Sequence, residues 1–194
     1  MRRTEQKEQT RQRLLAAARE VFEAEGFENA NVRQIAERAG IAPGTVFVHV
    51  KDKHDLLHTA LFEDLEATLN AALNRPDGDS LESWLIGLTD GMFAYYEARP
   101  QLSRVLLQES LLAEPPWSER FGGQWVQTHL AIVGRAQRAQ TAGELSPTAD
   151  LPLLAAAYLS FYLAGLPAWV KGTHPDPRGF VARLTEQHLK GLRP

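Results

Sequence analysis

Residues 31–53 read NVRQIAERAGIAPGTVFVHVKDK, a stretch that predicts two short helices, a tight turn and the start of a longer helix. Asn31 suits the N-cap of the first helix, because its side-chain oxygen can accept a hydrogen bond from a free backbone N–H. Gly40 follows the last apolar residue of that helix, where a C-terminus favours a residue that adopts positive φ. Pro43 suits the first turn of the next helix. The pattern is typical of a helix-turn-helix.

The remaining sequence predicts helices throughout, because apolar residues recur at helical spacing and no alternating strand pattern is found. Besides the two short helices, the expected helices span residues 10–25, 53–73, 80–98, 100–113, 116–142, 151–171 and 177–190. Gly26 should end the first of them, and Pro167 should kink the eighth. Gly122 and Gly123 mark a place where the seventh can bend or divide. We therefore expect an all-α fold of about nine helices.

Two domains are expected from this order of helices. A three-helix head with a basic N-terminal arm covers residues 1–52, and a C-terminal helical domain covers residues 53–194. Helix 4, residues 53–73, connects the two domains. A leucine recurs at every fourth position from Leu57 to Leu73, so this helix offers a long apolar stripe.

The charge of the chain is uneven. It carries 21 basic and 24 acidic residues, for a formal net charge of −3, yet residues 1–60 hold ten basic side chains against nine acidic ones. Five basic residues crowd the N-terminal arm: Arg2, Arg3, Lys7, Arg11 and Arg13. Beside a helix-turn-helix such an arm is suited to the phosphate backbone of DNA, although an ordinary solvated tail has the same composition.

Composition also disfavours several kinds of site. The sequence has no cysteine, which excludes disulfides, thiolate zinc sites and cysteine nucleophiles. His54 and His58 have the spacing of metal ligands on a helix, but no third ligand accompanies them, so neither a metal nor another cofactor is expected. The N-terminus shows no signal-peptide pattern, and prolines interrupt the apolar run from Leu151 to Val170. We interpret that run as a buried helix and expect a soluble, cytoplasmic protein without a membrane span.

Residues 10–60 resemble the N-terminal part of the tetracycline-repressor (TetR) family of transcriptional regulators, whereas the rest of the chain matches that family in architecture only. The features that carry the resemblance are Gly26, Ile35-Ala36, Ala39-Gly40, Gly44-Thr45, Lys53 and Leu56. The resemblance implies a homodimeric repressor whose two heads insert helix 3 into successive major grooves of a near-palindromic operator. It also implies that a small apolar or amphipathic effector in the C-terminal domain shifts the heads and releases the DNA.

Four positions depart from the residues that this family often has. They are Ala30 in place of Thr, Ala42 in place of Ser, Phe47 in place of Tyr, and Val50 in place of Phe. Ala42 removes a side-chain cap from helix 3, which typically costs about 1 kcal/mol. Phe47 has no hydroxyl that could donate to a phosphate. Phosphate contact should therefore rest more heavily on the other polar residues of the motif.

The candidates for DNA binding lie in the motif and at its edges. They are Arg33, Ala42, Pro43, Gly44, Thr45, Phe47, Val48, His49 and Lys53. We expect Thr45, His49 and Lys53 to contact phosphates, the alternative being local helix contacts or packing. The leading end of helix 3 offers mainly apolar contact and close backbone approach, so thymine-methyl contacts and DNA shape should carry much of the specificity.

The candidates for effector binding are aromatic and polar residues of the C-terminal part of the chain. They are Phe93, Gln108, Glu109, Trp117, Phe121, Trp125, His129, Phe161 and Tyr162. Such residues can line an apolar cavity that carries a few polar groups. The alternative is that each aromatic residue simply fills the core, as aromatic residues do in any helical domain.

Helices 8 and 9 are the expected dimer interface. Small residues such as Ala156 and Ala164 allow close approach of helices, and neighbouring leucines supply apolar area. One such helix pair from each chain would form a closed four-helix contact with two-fold symmetry. The alternative is a helical hairpin that packs only within its own chain.

The leading hypothesis is a ligand-responsive transcriptional repressor that binds double-stranded DNA as a homodimer. Two alternatives stay open: a constitutive DNA-binding regulator without a ligand, and an enzyme built on a helical bundle. The enzyme has little support, because the sequence has no Gly-rich phosphate loop and no Glu-x-x-His pair on a helix.

Overall fold

The computed structural model describes residues 3–76, 80–111 and 114–194, with the backbone alone for Arg3, Glu109 and Leu111. Its helices in these ranges are α1 (Arg3–Asn29), α2 (Val32–Ala39), α3 (Pro43–Val46), α4 (Lys53–Leu73), α5 (Leu81–Ala98), α6 (Pro100–Leu111), α7 (Trp117–Thr141), α8 (Leu151–Lys171) and α9 (Pro177–Lys190). All regular secondary structure in the described ranges is helical. The predicted all-α fold of about nine helices is confirmed.

Helix α1 is longer than predicted. It begins at Arg3 and not at Thr10. Contacts one turn apart support its first turns, since the Gln12 amide donates to the Glu8 carboxylate (2.8 Å) and the Thr10 hydroxyl donates to the Gln6 carbonyl (2.8 Å). From Arg3 onward, the predicted N-terminal arm is therefore the start of α1.

The predicted helix break at Gly26 is confirmed. Gly26 has φ 76° and ψ 161°, which interrupts the helical backbone inside α1, and glycine adopts positive φ without steric cost. Beyond the break, Phe27 is buried, and its ring centre lies 5.6 Å from that of Phe22. Phe27 therefore packs back onto the helix that Gly26 interrupts.

The predicted bounds of α4, α8 and α9 agree with the structure at both ends. Each of these helices begins after an aspartate whose side chain accepts a hydrogen bond from the backbone N–H three residues on. The aspartates are Asp52 (2.8 Å), Asp150 (3.0 Å) and Asp176 (2.8 Å). Such caps satisfy N–H groups that have no partner within the helix, so a few neighbouring residues fix the helix start.

Other predicted bounds differ or cannot be compared. Helix α7 is continuous and does not divide at Gly122 or Gly123. Helix α5 begins at Leu81, one residue later than predicted, and the Ser80 hydroxyl accepts from the Ser83 N–H at 3.2 Å. Asp79, whose side chain suits the N-cap of α5, and residue 113, the predicted end of α6, lie outside the described residues.

The chain forms two compact units. The first comprises Met1–Glu66 and Glu97–Glu109, and the second comprises Ala67–Tyr96 and Ser110–Pro194. The first turns of α4 thus belong to the first unit, whereas the predicted domain boundary assigns all of α4 to the second domain. The predicted boundary at residue 53 separates a DNA-binding domain from an effector-binding domain, and it stays a prediction. The two compact units are defined by packing alone.

In the first unit, α1 packs against α2 and α2 packs against α3. Ion pairs hold α1 to the neighbouring elements of the same unit. The Arg19 guanidinium donates to the Ala60 carbonyl (2.8 Å) and lies 3.0 Å from the Asp64 carboxylate. Arg99 lies 3.5 Å from the same carboxylate and 3.4 Å from that of Glu23. These contacts fix α1, and with it the helix-turn-helix, against α4.

In the second unit, α7 packs against α8 and α8 packs against α9. Gly165 on α8 is buried at the contact with α9. A Cβ atom at this position would lie 2.7 Å from Val181 Cγ2 and 3.3 Å from Phe93 Cζ. The close approach of α8 to α9 therefore depends on a residue without a side chain.

The prediction that α8 is a buried helix is wrong for one of its faces. Among the described residues, α8 is the helix that is long and apolar enough to cross a membrane by length and composition alone. Only 28% of its most apolar 18-residue window is buried, whereas a core helix is mostly buried. Its exposed positions include a set at helical spacing along one face: Leu153, Ala156, Ser160, Leu163, Ala164 and Pro167. The described residues thus leave one largely apolar face of α8 uncovered.

Candidate functional site

The turn between α2 and α3 is held by the capping groups that the sequence predicts. The Asn31 side chain accepts from the backbone N–H groups of Arg33 (2.8 Å) and Gln34 (3.3 Å). Gly40 ends α2 with φ 66°, and the Ile41 N–H donates to the Ala36 carbonyl at 3.0 Å. The predicted N-cap and C-cap of α2 are both confirmed.

Helix α3 is a single turn that continues as hydrogen-bonded backbone. The N–H groups of His49 and Val50 both donate to the Val46 carbonyl, at 2.9 and 3.1 Å. Val46 and Val50 are buried, so this segment packs one side onto α2 and presents the other to solvent. Ala42 occupies the N-cap without a side-chain hydrogen bond, as its side chain predicts.

We call the solvent-facing side of this segment the recognition face. Its exposed members are Ala42, Pro43, Gly44, Phe47 and Val48, and its half-buried members are Thr45 and His49. Phe47 is 58% exposed and Val48 is 65% exposed, so two large apolar side chains lie next to each other at the surface. The structure therefore brings seven of the nine DNA-binding candidates onto one surface.

Cationic side chains of α1 lie beside the recognition face. Burial lowers the pKa of His49 below its ordinary value of 6.5, the positive charges of Lys7 and Arg11 lower it further, and Glu8 opposes them. Lys7 and Arg11 of α1 therefore lie close enough to His49 to act on its imidazole. Sequence spacing could not show this proximity, since some forty residues separate the two segments.

Two further arginines lie in the helix-turn-helix region, Arg13 beside the turn and Arg33 at the start of α2. A Cβ atom on Gly40 would lie 3.9 Å from Nη1 of Arg13, so the Arg13 guanidinium lies next to the turn between α2 and α3. The Arg33 side chain is 78% exposed and pairs with Glu37 at 3.8 Å. An exposed pair of this kind is weak, so Arg33 can exchange Glu37 for another anion.

Lys53 is engaged inside the first unit. Its ammonium group donates to the carbonyl oxygens of Phe27 (2.8 Å), Glu28 (3.1 Å) and Ala30 (3.2 Å). A lysine ammonium has three hydrogens, and each has an acceptor here. The structure thus gives Lys53 a packing role in the absence of DNA, and the phosphate contact expected of it stays a prediction.

Three of the effector candidates come together in the second unit. The ring centre of Tyr162 lies 5.8 Å from that of Phe93 and 6.2 Å from that of Trp125. The cluster also contains Tyr96, 6.1 Å from Phe93, and Trp169, 5.8 Å from Tyr96. Sequence reasoning did not select these last two, although Tyr96 follows Phe93 by three residues on α5 and Trp169 follows Tyr162 by seven on α8.

A pair of hydroxyl groups lies inside this aromatic cluster. The Tyr96 and Tyr162 hydroxyls share a hydrogen bond of 2.8 Å. Burial raises the pKa of Tyr96 to about 12 and raises the pKa of Tyr162 well above its ordinary value. Both hydroxyls are therefore neutral at physiological pH, and they give the cluster a polar group without a charge.

The other effector candidates lie elsewhere or stay untested. The Phe161 ring lies 5.7 Å from that of His188 on α9, and the Arg120 guanidinium carbon lies 4.9 Å from the ring centre of Trp117. Phe121 and His129 on α7 are half-buried. Gln108 is exposed and belongs to the first unit, and the side chain of Glu109 lies outside the described residues.

His54 and His58 do not form part of a larger donor set. The His54 ring lies 4.9 Å from that of Phe27, and His58 is buried. Within the described ranges, no group of three or more histidine, aspartate or glutamate side chains could hold a metal ion.

Comparison with known proteins identifies the N-terminal region. Residues 14–60 match the family model of bacterial regulatory proteins of the tetR family. The HTH-type transcriptional regulator UidR of Escherichia coli (strain K12) is 29% identical over 146 residues, which cover 71% of this chain and 70% of the relative.

Solved structures share the fold over almost the whole chain. A TetR transcription regulator from Haloarcula marismortui aligns with a TM-score of 0.76 at 16% identity, covering 95% of this chain and 98% of that one. FadR from Bacillus subtilis, solved in complex with stearoyl-CoA, aligns with a TM-score of 0.71 at 18% identity, covering 94% and 99%. At these identities the likeness concerns the fold alone.

These comparisons favour a transcriptional regulator over an enzyme. The matching relatives are transcriptional regulators, so the enzyme hypothesis is set aside. The matched residues 14–60 contain the helix-turn-helix and its recognition face. Residues 14–60 match the family model of tetR-family regulatory proteins, and the chain is similar to transcriptional regulators over about 70% of its length.

Proposed function

We propose that the protein is a ligand-responsive repressor that binds a near-palindromic DNA operator as a homodimer in the cytoplasm. The recognition face is the observation that carries the DNA-binding part of this proposal. It combines a helix-turn-helix fixed by caps with exposed side chains that the described part of the first unit leaves uncovered. A surface of this shape suits the major groove, which admits a helix.

The charges around the recognition face support the same assignment. Lys7, Arg13 and Arg33 are exposed, and Arg11 is half-buried beside His49. Cations that flank a groove-binding element neutralise phosphates and release counterions. The negative net charge of the whole chain is compatible with this, because the acidic excess lies in residues 61–194.

DNA binding is tested by titrating the protein against labelled duplexes from the promoter beside its gene, at rising salt concentrations. We expect one duplex to bind specifically, with an affinity that falls steeply as salt rises. Arg33→Ala should weaken binding to this duplex and to random DNA alike, whereas Lys190→Ala, which removes an exposed lysine in the second unit, should change neither. Specific binding that stays flat as salt rises would contradict the proposed phosphate contacts.

The uncovered face of α8 supports the homodimer. Leu153 and Leu163 are 61% and 41% exposed on this face, and Ala156 and Ala164 leave room for a second helix. Burial of such apolar surface stabilises an assembly by roughly 25 cal/mol per Å². A second copy of the chain, related by two-fold symmetry, covers this face with the same face of its own α8.

The dimer is tested by measuring the mass of the protein in solution, with light scattering after size-exclusion chromatography. We expect twice the mass of one chain. Ala156→Arg should yield a folded monomer, because it places a charge at the centre of the interface. The matched control is Ala94→Arg, at an exposed alanine on α5, which should stay a dimer. Dimers of both variants would place the interface elsewhere.

The aromatic cluster of the second unit is the proposed effector site. Its rings offer apolar surface, and the Tyr96–Tyr162 hydroxyl pair offers an uncharged hydrogen-bonding group. This combination suits a small apolar or amphipathic molecule. FadR from Bacillus subtilis, which shares the fold, binds stearoyl-CoA in its solved complex, and this makes an acyl-CoA one compound to try.

The effector site is tested by thermal unfolding in the presence of stearoyl-CoA or naphthalene. A compound that binds the native state raises the unfolding temperature and lowers affinity for the operator. Trp125→Ala should abolish both effects, whereas Phe161→Ala should keep them, because the Phe161 ring faces His188 outside the cluster. If no apolar compound stabilises the protein, the constitutive regulator without a ligand is favoured.

A further inference from the structure

We propose that Phe47 and Val48 read the C5-methyl groups of thymines in the major groove, so that operator choice depends on apolar contact more than on hydrogen bonds. This inference rests on the proposed DNA-binding function and adds which chemical group of the operator is recognised. The thymine methyl is the one apolar group that a base pair presents in the major groove.

The first support is the exposure of these two side chains. Within the described part of the first unit, Phe47 and Val48 are the large apolar side chains that stay exposed, at 58% and 65%. Their neighbours Val46 and Val50 are buried, so Phe47 and Val48 are held on the outer side of a fixed segment. Backbone hydrogen bonds hold this segment, including that from the Val48 N–H to the Thr45 carbonyl at 3.2 Å.

The second support is the shortage of hydrogen-bonding side chains on the recognition face. Ala42, Pro43 and Gly44 have none, and Thr45 and His49 are half-buried. A face built in this way cannot form the bidentate contacts by which arginine reads guanine or asparagine reads adenine. The recognition face therefore offers mainly apolar contacts to the edges of the bases.

The third support concerns the occupant of this apolar surface. Exposed Lys7 and Arg13 and half-buried Arg11 lie beside the recognition face. This face lies within residues 14–60 of the chain, the part that matches a family of regulatory proteins. Cations around an apolar centre complement DNA, whose phosphates flank the groove in which the methyl groups lie. We therefore assign thymine-containing DNA as the occupant.

The experiment first selects a binding site from a randomised duplex library, using the full-length protein. Each thymine of the selected site is then replaced by uracil, which lacks only the methyl group. We expect uracil to weaken binding about fourfold at each contacted position, the effect of losing one buried methyl. Uracil in the flanks of the site should change nothing.

Protein variants complete the test. In Phe47→Ala or Val48→Ala the penalty for uracil should disappear at the positions that the removed side chain contacts, while the salt dependence of binding is kept. Val126→Ala is the matched control, because Val126 is 61% exposed and belongs to the second unit, so it should keep the full penalty. Unfolding curves establish that each variant folds, since exposed side chains contribute little to stability.

The outcomes separate this inference from the function on which it rests. A selected site that tolerates uracil at every position overturns the methyl readout and leaves DNA binding intact. A penalty that persists in both Phe47→Ala and Val48→Ala also overturns it. A library from which nothing is selected overturns the DNA-binding function itself, and this inference with it.

Discussion

The ammonium nitrogen of Lys53 lies 4.6 Å from the centre of the Phe27 ring. The same nitrogen donates to the Phe27 carbonyl and to two further carbonyls at the end of α1 and just beyond it. The last carbonyls of a helix lack intrahelical partners, and a cation near them is favourable. Lys53 therefore ties the first residue of α4 to the end of α1.

Removing this ammonium group should destabilise the protein. Lys53→Met keeps the aliphatic stem and removes the donors, so we expect the free energy of unfolding to fall by about 2 kcal/mol, as is typical for hydrogen bonds to charged groups. Urea unfolding measures this change. Lys51→Met is the matched control, because the Lys51 side chain is exposed and its loss should change stability by no more than about 0.5 kcal/mol.

The same variant tests the phosphate contact expected of Lys53. If Lys53 contacts a phosphate in the complex, Lys53→Met should weaken binding to all DNA and reduce the slope of log K against log salt by about one. We expect this reduction if the ammonium exchanges one of its carbonyl acceptors for a phosphate. An unchanged slope would mean that Lys53 keeps its acceptors within the first unit and has a packing role only.

DNA binding should strengthen as pH falls below 6.5, because of His49. Phosphates favour the protonated imidazole, so the pKa of His49 should be higher in the complex than in the free protein. In the free protein, the pKa of His49 is held below 6.5 by burial and by the positive charges of Lys7 and Arg11. At a pH between the pKa values of the free and the bound protein, His49 therefore takes up a proton when DNA binds. Each unit by which DNA raises the pKa adds about tenfold in affinity at low pH.

The measurement for His49 is the operator affinity between mildly alkaline and mildly acidic pH, at constant ionic strength. His49→Gln keeps a hydrogen-bonding side chain without a titratable group, so its affinity should vary less with pH than that of the wild type. Equal pH profiles of the two proteins would mean that His49 does not face a phosphate. Loss of the dimer in His49→Gln would show a structural role instead.

The Tyr96–Tyr162 hydroxyl pair predicts a non-additive effect of mutation. Tyr162→Phe leaves the Tyr96 hydroxyl buried without its partner, which should cost about 1–3 kcal/mol of unfolding free energy. Removing both hydroxyls should cost less than the sum of the two single changes, because no polar group is then left unsatisfied. Urea unfolding of the two single variants and the double variant measures the coupling, and additive costs would contradict it.

These tyrosines also predict alkaline sensitivity. The pKa of Tyr96 is about 12 in the folded protein and about 10 in the unfolded chain, so the folded state holds its proton more tightly. Stability should therefore fall as pH rises from about 10 towards 12. The double variant Tyr96→Phe/Tyr162→Phe should lose less stability over this range, as measured by urea unfolding at each pH.

Two glycine-to-alanine changes should alter the free energy of unfolding in opposite directions. Gly165→Ala places a Cβ atom 2.7 Å from Val181 Cγ2, so α8 and α9 must move apart, at a cost of about 1–3 kcal/mol. A Cβ atom at Gly122, in the second turn of α7, meets nothing within 4 Å, so Gly122→Ala should stabilise the helix by about 0.5–1 kcal/mol. Thermal unfolding compares the two variants, and a stabilising Gly165→Ala would mean that the α8–α9 contact yields easily.

The recognition face shows how far sequence reasoning reaches at the site. The spacing of the motif placed its candidates in one short segment, and the structure brings seven of nine onto one surface. Arg33 is exposed at the start of α2, where it pairs with Glu37, and the Lys53 side chain donates to carbonyls at the end of α1. The direction of a long side chain depends on acceptors that come from another helix, which periodicity does not encode.

The effector candidates were likewise brought together only in part. Aromatic composition pointed to the C-terminal part of the chain, and Phe93, Trp125 and Tyr162 do meet there. The ring of Phe161 instead approaches His188, because neighbouring residues of a helix point in directions about 100° apart. Which neighbour joins a cluster depends on how α5, α7, α8 and α9 pack.

The sequence by itself determined the helices, because their signals are local. Asn31, Gly40 and Pro43 set the bounds of the motif, and aspartate caps set the starts of α4, α8 and α9 within a few residues. The tertiary structure alone decided the acceptors of Lys53, the Tyr96–Tyr162 pair and the uncovered face of α8. The physical reason is that capping bonds join residues three or four apart, whereas burial and side-chain pairing depend on segments that only the folded chain brings together.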